Sequence, residues 1–303
     1  MNIRAALPFA FMLAACAPSL FAQEVRIGFL NYRMTSFDVP GAVASPISPS
    51  APRISDLGLI VGYYTDSSNH QFGWHRPPQG PVVSGEKEPN DNFGFTRFSG
   101  VNDHGEIVGG YFNLSNGYNG FTLTLGTYAT YDVPGVTQTT LSGINNSGDL
   151  VGQAVNISTG LSEAFLVIKG KVTFVTYLNE NTFGQGMNNF GAMVGTAIDA
   201  QNNAHSFYRA TNGAMEPITF PNAVSTTAVS INDFGEVCGQ YTDTKGISHG
   251  FLHLVRTSIY ESFDIPGAKQ TYAGGLNDFG SITGHYILPN GTAHAYLLQL
   301  SLF

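Results

Sequence analysis

Charge is scarce in this chain. Of 303 residues only 13 are Lys or Arg and 21 Asp or Glu. That 11% falls well below the quarter typical of globular proteins. The formal net charge of −8 and the lack of basic runs argue against nucleic acid or an anionic lipid surface as a partner. Cysteine is nearly absent, with Cys16 in the N-terminal segment and Cys238 alone beyond it, so no internal disulfide stabilises the folded part. No Gly-x-Ser-x-Gly elbow, phosphate-binding glycine loop or His-Glu-x-x-His occurs. No sustained helical period lies between the glycines, which counts against helical solenoids.

The one long apolar run is at the start. Met-Asn-Ile-Arg leads into Ala5–Ala17 and then small residues to Ala22, the pattern of a secretory signal too short to span a bilayer. Cleavage after Ala22 divides the chain into a signal, 1–22, and a single repeat domain, 23–303. The alternative is a lipoprotein signal, 1–15, with Leu13-Ala14-Ala15-Cys16 as lipobox and Cys16 lipidated. Loss of 1–22 removes only Arg4 among the charges, leaving 12 basic against 21 acidic side chains. A secreted or envelope location with no transmembrane span in the mature chain is expected, as is a monomer.

What the chain has in abundance is one phrase, returning six times: SDLGLIVG (55–62), NDHGEIVG (102–109), NNSGDLVG (145–152), NNFGAMVG (188–195), NDFGEVCG (232–239) and NDFGSITG (277–284). A period of about 44 residues marks an array of equivalent supersecondary units. Four strands of about 6 residues and four connections of about 5 fill that length. The expected fold is all-β, a six-bladed β-propeller. The Asn-Asp-x-Gly step is a tight turn between strands, and the closing glycine permits close approach of a neighbouring backbone. A Pro-Gly turn follows a short strand at Phe37–Gly41, Tyr131–Gly135 and Phe263–Gly267, degenerate at Thr219–Asn222. A last piece opens at His249-Gly-Phe251, with copies at His205, His294 and, as His70-Gln-Phe72, near the start. Asn119-Gly-Phe121 and Glu163-Ala-Phe165 lack the histidine. Gly28-Phe-Leu30 reads as an unpaired copy of this piece, so a strand from one end is expected to complete a blade built by the other. The stretch His75–Asn92 reads as a protruding loop and the first place to look for a partner.

These phrases give the chain a resemblance to the HAF-repeat family of bacterial extracellular repeat proteins, carried by Gly143–Gly152 and its counterparts, His249-Gly-Phe251 and Phe263–Gly267. The resemblance covers Gly28–Leu298. It implies a secreted β-propeller-like protein with no defined activity. Ser55, the copies without histidine and the weak strands near Val82 and Val175 depart from the pattern.

Candidate sites are few. A ring sets equivalent residues apart, so His70, His205, His249 and His294 are expected to bond turn carbonyls in their own blades, not a metal. The acids Asp56, Asp103, Asp233 and Asp278 are assigned to turn geometry, since Asn-Asp-x-Gly is too short for a calcium loop. Glu106, Glu236 and Asp149 are repeat equivalents of one another. The non-repeated acids Glu86, Glu88, Glu163, Glu180, Glu216 and Glu261 show no pairing. Cys238 stands where other copies have Val or Thr and reads as a core residue. No catalytic residue, metal site or cofactor is assigned. The expected role is a non-enzymatic binding or surface scaffold for an extracellular protein or glycan, with Tyr118, Trp74 and Asn202 as exposed loop candidates. The alternative is a polysaccharide-acting hydrolase or lyase, which would need convergent acids.

Overall fold

In the computed structural model, residues 23–43 and 50–301 are described. Six antiparallel sheets stand around one axis as a six-bladed β-propeller, with no helix among the described residues. The innermost strands are Ser50–Ile54, Thr96–Val101, Thr137–Ile144, Asn181–Met187, Ser225–Ile231 and Gln270–Leu276, heading blades 1 to 6 in that order. Each runs into one copy of the repeated phrase, turns, and continues outward through the blade.

The two most regular sequence features prove to be partners. The closing glycine of each phrase faces the aromatic residue of the next strand: Gly62 opposite Trp74, Gly109 opposite Phe121, Gly152 opposite Phe165, Gly195 opposite Phe207, Gly239 opposite Phe251 and Gly284 opposite Tyr296. All six aromatics are fully buried. Burial of one such ring contributes about 2–3 kcal/mol, and the glycine provides its bed. A Cβ on Gly109 would lie 2.8 Å from the Phe121 ring and collide with the Arg97 carbonyl. The register also corrects the first copy. Its aromatic is Trp74, preceded by Phe72-Gly73, so His70 lies in the hairpin turn before the strand and not at the repeat position. Trp74 is core rather than an exposed loop residue.

Every innermost strand carries a bulge two or three residues before the turn. The residue two places before the turn is Gly100, Gly143, Gly186, Ser230 or Gly275, and there the backbones of successive blades meet. A Cβ on Gly100 would come within 2.7 Å of the Gly143 Cα. In blade 1 the same position holds Arg53.

The ring closes at blade 6. Its third strand, Ala293–Leu300, pairs with Leu30–Phe37, which serves as the fourth strand, and Gln23–Ile27 adds a fifth outside it. The N-terminal segment therefore completes the last blade. Gly28-Phe29 is the turn between those two strands, with Phe29 fully exposed, and not a copy of the His-Gly-Phe piece. The stretch from His75 to Asn92 does not protrude either. Val83–Glu86 forms the outer strand of blade 1. The connection after it is pinned by buried Asp91, whose carboxylate accepts from the N–H groups of Phe93, Gly94 and Phe95 and from the Thr96 hydroxyl at 2.7–3.0 Å. Residues 1–22, with Cys16 and the signal, lie outside the described residues.

Candidate functional site

The axis has two unlike ends. At one, the six Asn-Asp turns meet and close a ring of hydrogen bonds. The N–H of Asp56 donates to Oδ1 of Asp103 at 2.7 Å, and Asp103 to Asn146 at 2.9 Å. Asn146 donates to Asn189, Asn189 to Asp233 and Asp233 to Asp278, each at 2.8 Å, and Asp278 returns to Asp56 at 2.7 Å. The buried asparagines one residue earlier make a second circuit. The amide of Asn102 donates to the Asn145 carbonyl, and the pattern continues through Asn188, Asn232 and Asn277 to the Ser55 carbonyl at 3.1–3.3 Å. Ser55 has no amide, so the sixth link is missing. Turn geometry thus accounts for these residues only in part, because innermost equivalents meet while outer ones stay apart.

This acid ring holds a space of about 70 Å³, room for water but not for a sugar, since ligand pockets run to several hundred Å³. Burial, together with the charges of Asp278 and Asp103, pushes the Asp56 carboxyl up to about 6, and burial raises Asp278 as well. Asp103 and Asp233 instead accept amide protons from Asn146 (2.6 Å) and Asn189 (3.0 Å). Around this end Leu57, Phe190, Phe234 and Phe279, the third residues of their turns, stand about two-thirds exposed.

The opposite end opens into a cavity of about 560 Å³ bounded by blades 1 to 4. Four aromatic residues line it (Tyr63, Phe95, Tyr118 and Phe183), with the amides of Gln138, Gln153 and Gln185, the hydroxyl residues Ser99 and Ser142, and two arginines, Arg53 and Arg97. Because side chains alternate along a strand, residues three, five and seven before the turn in blades 2 and 3, and three and five before it in blade 4, face this space. Most of them differ between these blades. Arg97 is held flat, its guanidinium carbon 4.7 Å from the Tyr63 ring centre and 4.2 Å from Phe95, with Nε donating to Gln71 at 2.6 Å. Gln138 adopts φ = +55°, a backbone conformation costing about 1 kcal/mol or more for a residue with a Cβ. Such strain is commonly stored at binding sites.

Arg53 breaks the repeat most sharply. It is 9% exposed and lines both the wide cavity and the narrow waist below it. One terminal nitrogen donates to the Gly274 carbonyl at 2.5 Å, while its buried Nε has no protein partner. Neighbouring Cys238 is buried, which pushes its thiol up to about 12 and leaves it uncharged beside the guanidinium. Burial lowers Arg53 itself to about 10, still cationic at neutral pH.

Among the described residues, none that lines the cavity is a carboxylate or a histidine. None of Glu86, Glu88, Glu163, Glu180, Glu216 and Glu261 reaches it. Glu86 lies 3.8 Å from His75, Glu88 accepts from the Asn90 N–H at 2.6 Å, and Glu163 accepts from Asn156 at 2.9 Å. Among the described residues, no pair of acids of the kind glycosidic cleavage uses lines this cavity. The repeat histidines bond carboxylates rather than carbonyls. His294 meets Asp38 at 2.6 Å, His249 meets Asp264 at 2.9 Å, and His205 meets Asp199 at 3.1 Å. His70 sits 3.8 Å from Asp66. Asp38 and Asp264 are the acids of the Pro-Gly turns, so two sequence phrases meet in one surface hydrogen bond. Among the described residues no group of three or more His, Cys, Asp or Glu is placed to hold a metal ion, and no helix is long and apolar enough to cross a membrane. Tyr118 was readable as a loop aromatic and does line the cavity; Asn202 lies in a hairpin turn away from it.

No protein-family model and no curated protein sequence matches the chain. Its fold has relatives among solved structures. AofleA of Arthrobotrys oligospora superposes with a TM-score of 0.56 at 10% identity, over 89% of this chain and 90% of that one. A fucose-specific lectin from Aleuria aurantia gives 0.51 at 9% identity, over 84% and 96%. TolB from Acinetobacter baumannii gives 0.53 at 11% identity, over 88% of this chain but 63% of its own length. At these identities the likeness is one of fold.

Proposed function

We propose that this chain is an exported carbohydrate-binding propeller of the HAF-repeat type, taking its ligand in the axial cavity. The lining of that cavity carries the reading. Flat aromatic faces at Tyr63, Phe95, Tyr118 and Phe183 suit the apolar faces of sugar rings. Gln138, Gln153 and Gln185 supply paired donors and acceptors for hydroxyl groups. A volume of about 560 Å³ lies in the range of small-ligand sites. The leading segment 1–22 supports export to the envelope or beyond it, and a propeller scaffold is shared with a fucose-specific lectin.

The test is a glycan-panel binding measurement on the purified chain, beside the variants Tyr118→Ala and Phe183→Ala. Saturable binding that each variant weakens about tenfold or more is expected, since truncating an aromatic anchor of a binding site costs about 2 kcal/mol or more. Binding unchanged in both variants, or none across the panel, would overturn the reading.

A further inference from the structure

Among the described residues that line the cavity are two positive charges and no negative one, in a chain where acids outnumber bases by 21 to 13. Repeat structure does not account for this. Arg53 occupies a position that is Gly or Ser in the other five blades, where small size lets the backbones meet. Arg97 corresponds to Thr140, Phe183, Thr227 and Tyr272. A guanidinium placed nine-tenths out of water, with an unpartnered Nε and no carboxylate among the groups around its cavity, is costly unless an anion neutralises it. Arg97 is prepared in a complementary way. Its guanidinium packs on the Tyr63 and Phe95 rings and its Nε is tied to Gln71, which leaves the terminal nitrogens for a planar or tetrahedral oxyanion.

We infer that the ligand is an acidic saccharide, with a carboxylate or sulfate ester seated at Arg53 and Arg97 and its ring on the cavity aromatics. This rests on the carbohydrate reading above. The amides and hydroxyls beside the arginines favour a hydroxyl-rich body behind the anion. The funnel narrows at Arg53, so the charged group enters first and neutral units follow toward the mouth.

The experiment is calorimetric titration with saccharide pairs matched in linkage and length. One pair is a uronic-acid oligomer and its carboxyl-reduced form; the other is a sulfated oligomer and its desulfated form. The pair that responds distinguishes carboxylate from sulfate. The acidic member is expected to bind about tenfold tighter or more, and added salt is expected to narrow the gap. Arg97→Gln should remove the preference and Arg97→Lys restore part of it. Arg53→Met is measured after circular dichroism shows it folded; should it not fold, the Arg97 pair carries the test. Equal binding of neutral and acidic members overturns the inference and leaves the carbohydrate reading in place. So does an acidic preference that survives both Arg97→Gln and Arg53→Met. Absence of binding to any member overturns both.

Discussion

The interrupted amide circuit permits a reciprocal experiment. Asn188 is 7% exposed; its Oδ1 accepts from the N–H groups of Phe190 (3.1 Å) and Ala192 (3.0 Å), and its Nδ2 donates to the Asn232 carbonyl at 3.2 Å. Ser55 makes only one comparable bond, accepting from the Leu59 N–H at 3.3 Å. Asn188→Ser therefore forfeits two of three hydrogen bonds, at about 1 kcal/mol each, and should lower stability by about 2 kcal/mol. Ser55→Asn should gain an amide bond to the Asn102 carbonyl and a nearer acceptor for the Leu57 N–H, now 3.2 Å from Asp103. The expected gain is about 1–2 kcal/mol. Thermal unfolding followed by circular dichroism should show Tm lower by about 4 °C in the first variant and higher by about 2–4 °C in the second, on the scaling for domains of this size. Urea titration gives the free energies directly. A Ser55→Asn chain no more stable than the parent, or Asn188→Ser within about 0.5 kcal/mol of it, would show that the circuit is geometric coincidence.

The acid ring predicts a pH response. Asp56, raised to about 6, binds its proton more tightly folded than unfolded, so its contribution is full below about pH 4 and is lost as pH rises through 6. His285, stacked on Tyr272 at 4.5 Å and lowered to about 4 by burial, acts oppositely, contributing above its unfolded value near 6.5 and losing that as pH falls toward 4. The parent should thus show a shallow Tm profile from pH 4 to 6.5, whereas Asp56→Asn should gain stability with pH across that window; parallel profiles would contradict the assignment. Gly109→Ala, which drives a methyl into the Arg97 carbonyl and the Phe121 ring, should cost about 3 kcal/mol or more in urea unfolding, and a loss under 1 kcal/mol would refute the packing account. His294→Ala breaks an exposed pair and should change stability by less than about 1 kcal/mol; a larger loss would give that contact a structural weight it lacks here.

The period, the four-strand unit and the six-fold count were legible because each turn needs Asn, Asp and Gly for its own backbone, whichever blade carries it. The pairing of closing glycine with buried aromatic was half legible. Both phrases were visible, but reading the first copy from its histidine put Phe72 at the aromatic position, whereas the step from closing glycine to aromatic, the same in that copy as in four others, points to Trp74. Convergence of the turn acids was hidden because sequence spacing gives no radius: residues 43–47 apart lie far apart on the rim and in contact at the axis. Arg53 did leave a signal, a long cation where the other copies have glycine or serine two places before the turn, visible once the aligned copies are extended upstream of the repeated phrase. Arg97 left none, since its column, which also holds Thr140, Phe183, Thr227 and Tyr272, has no common residue from which to depart.

The strand that completes the sixth blade has a consequence for biosynthesis. Leu30–Phe37 is made early, yet its partner Ala293–Leu300 is made more than 250 residues later. Until then Leu30–Phe37 has only the short hairpin strand Gln23–Ile27 on one side and a bare edge on the other, and the five finished blades form an open arc. Such edges recruit stray strands. A chain of this design therefore completes its circle only after Ala293–Leu300 has been synthesised, and whatever guards it in the meantime must hold one strand while waiting for the other.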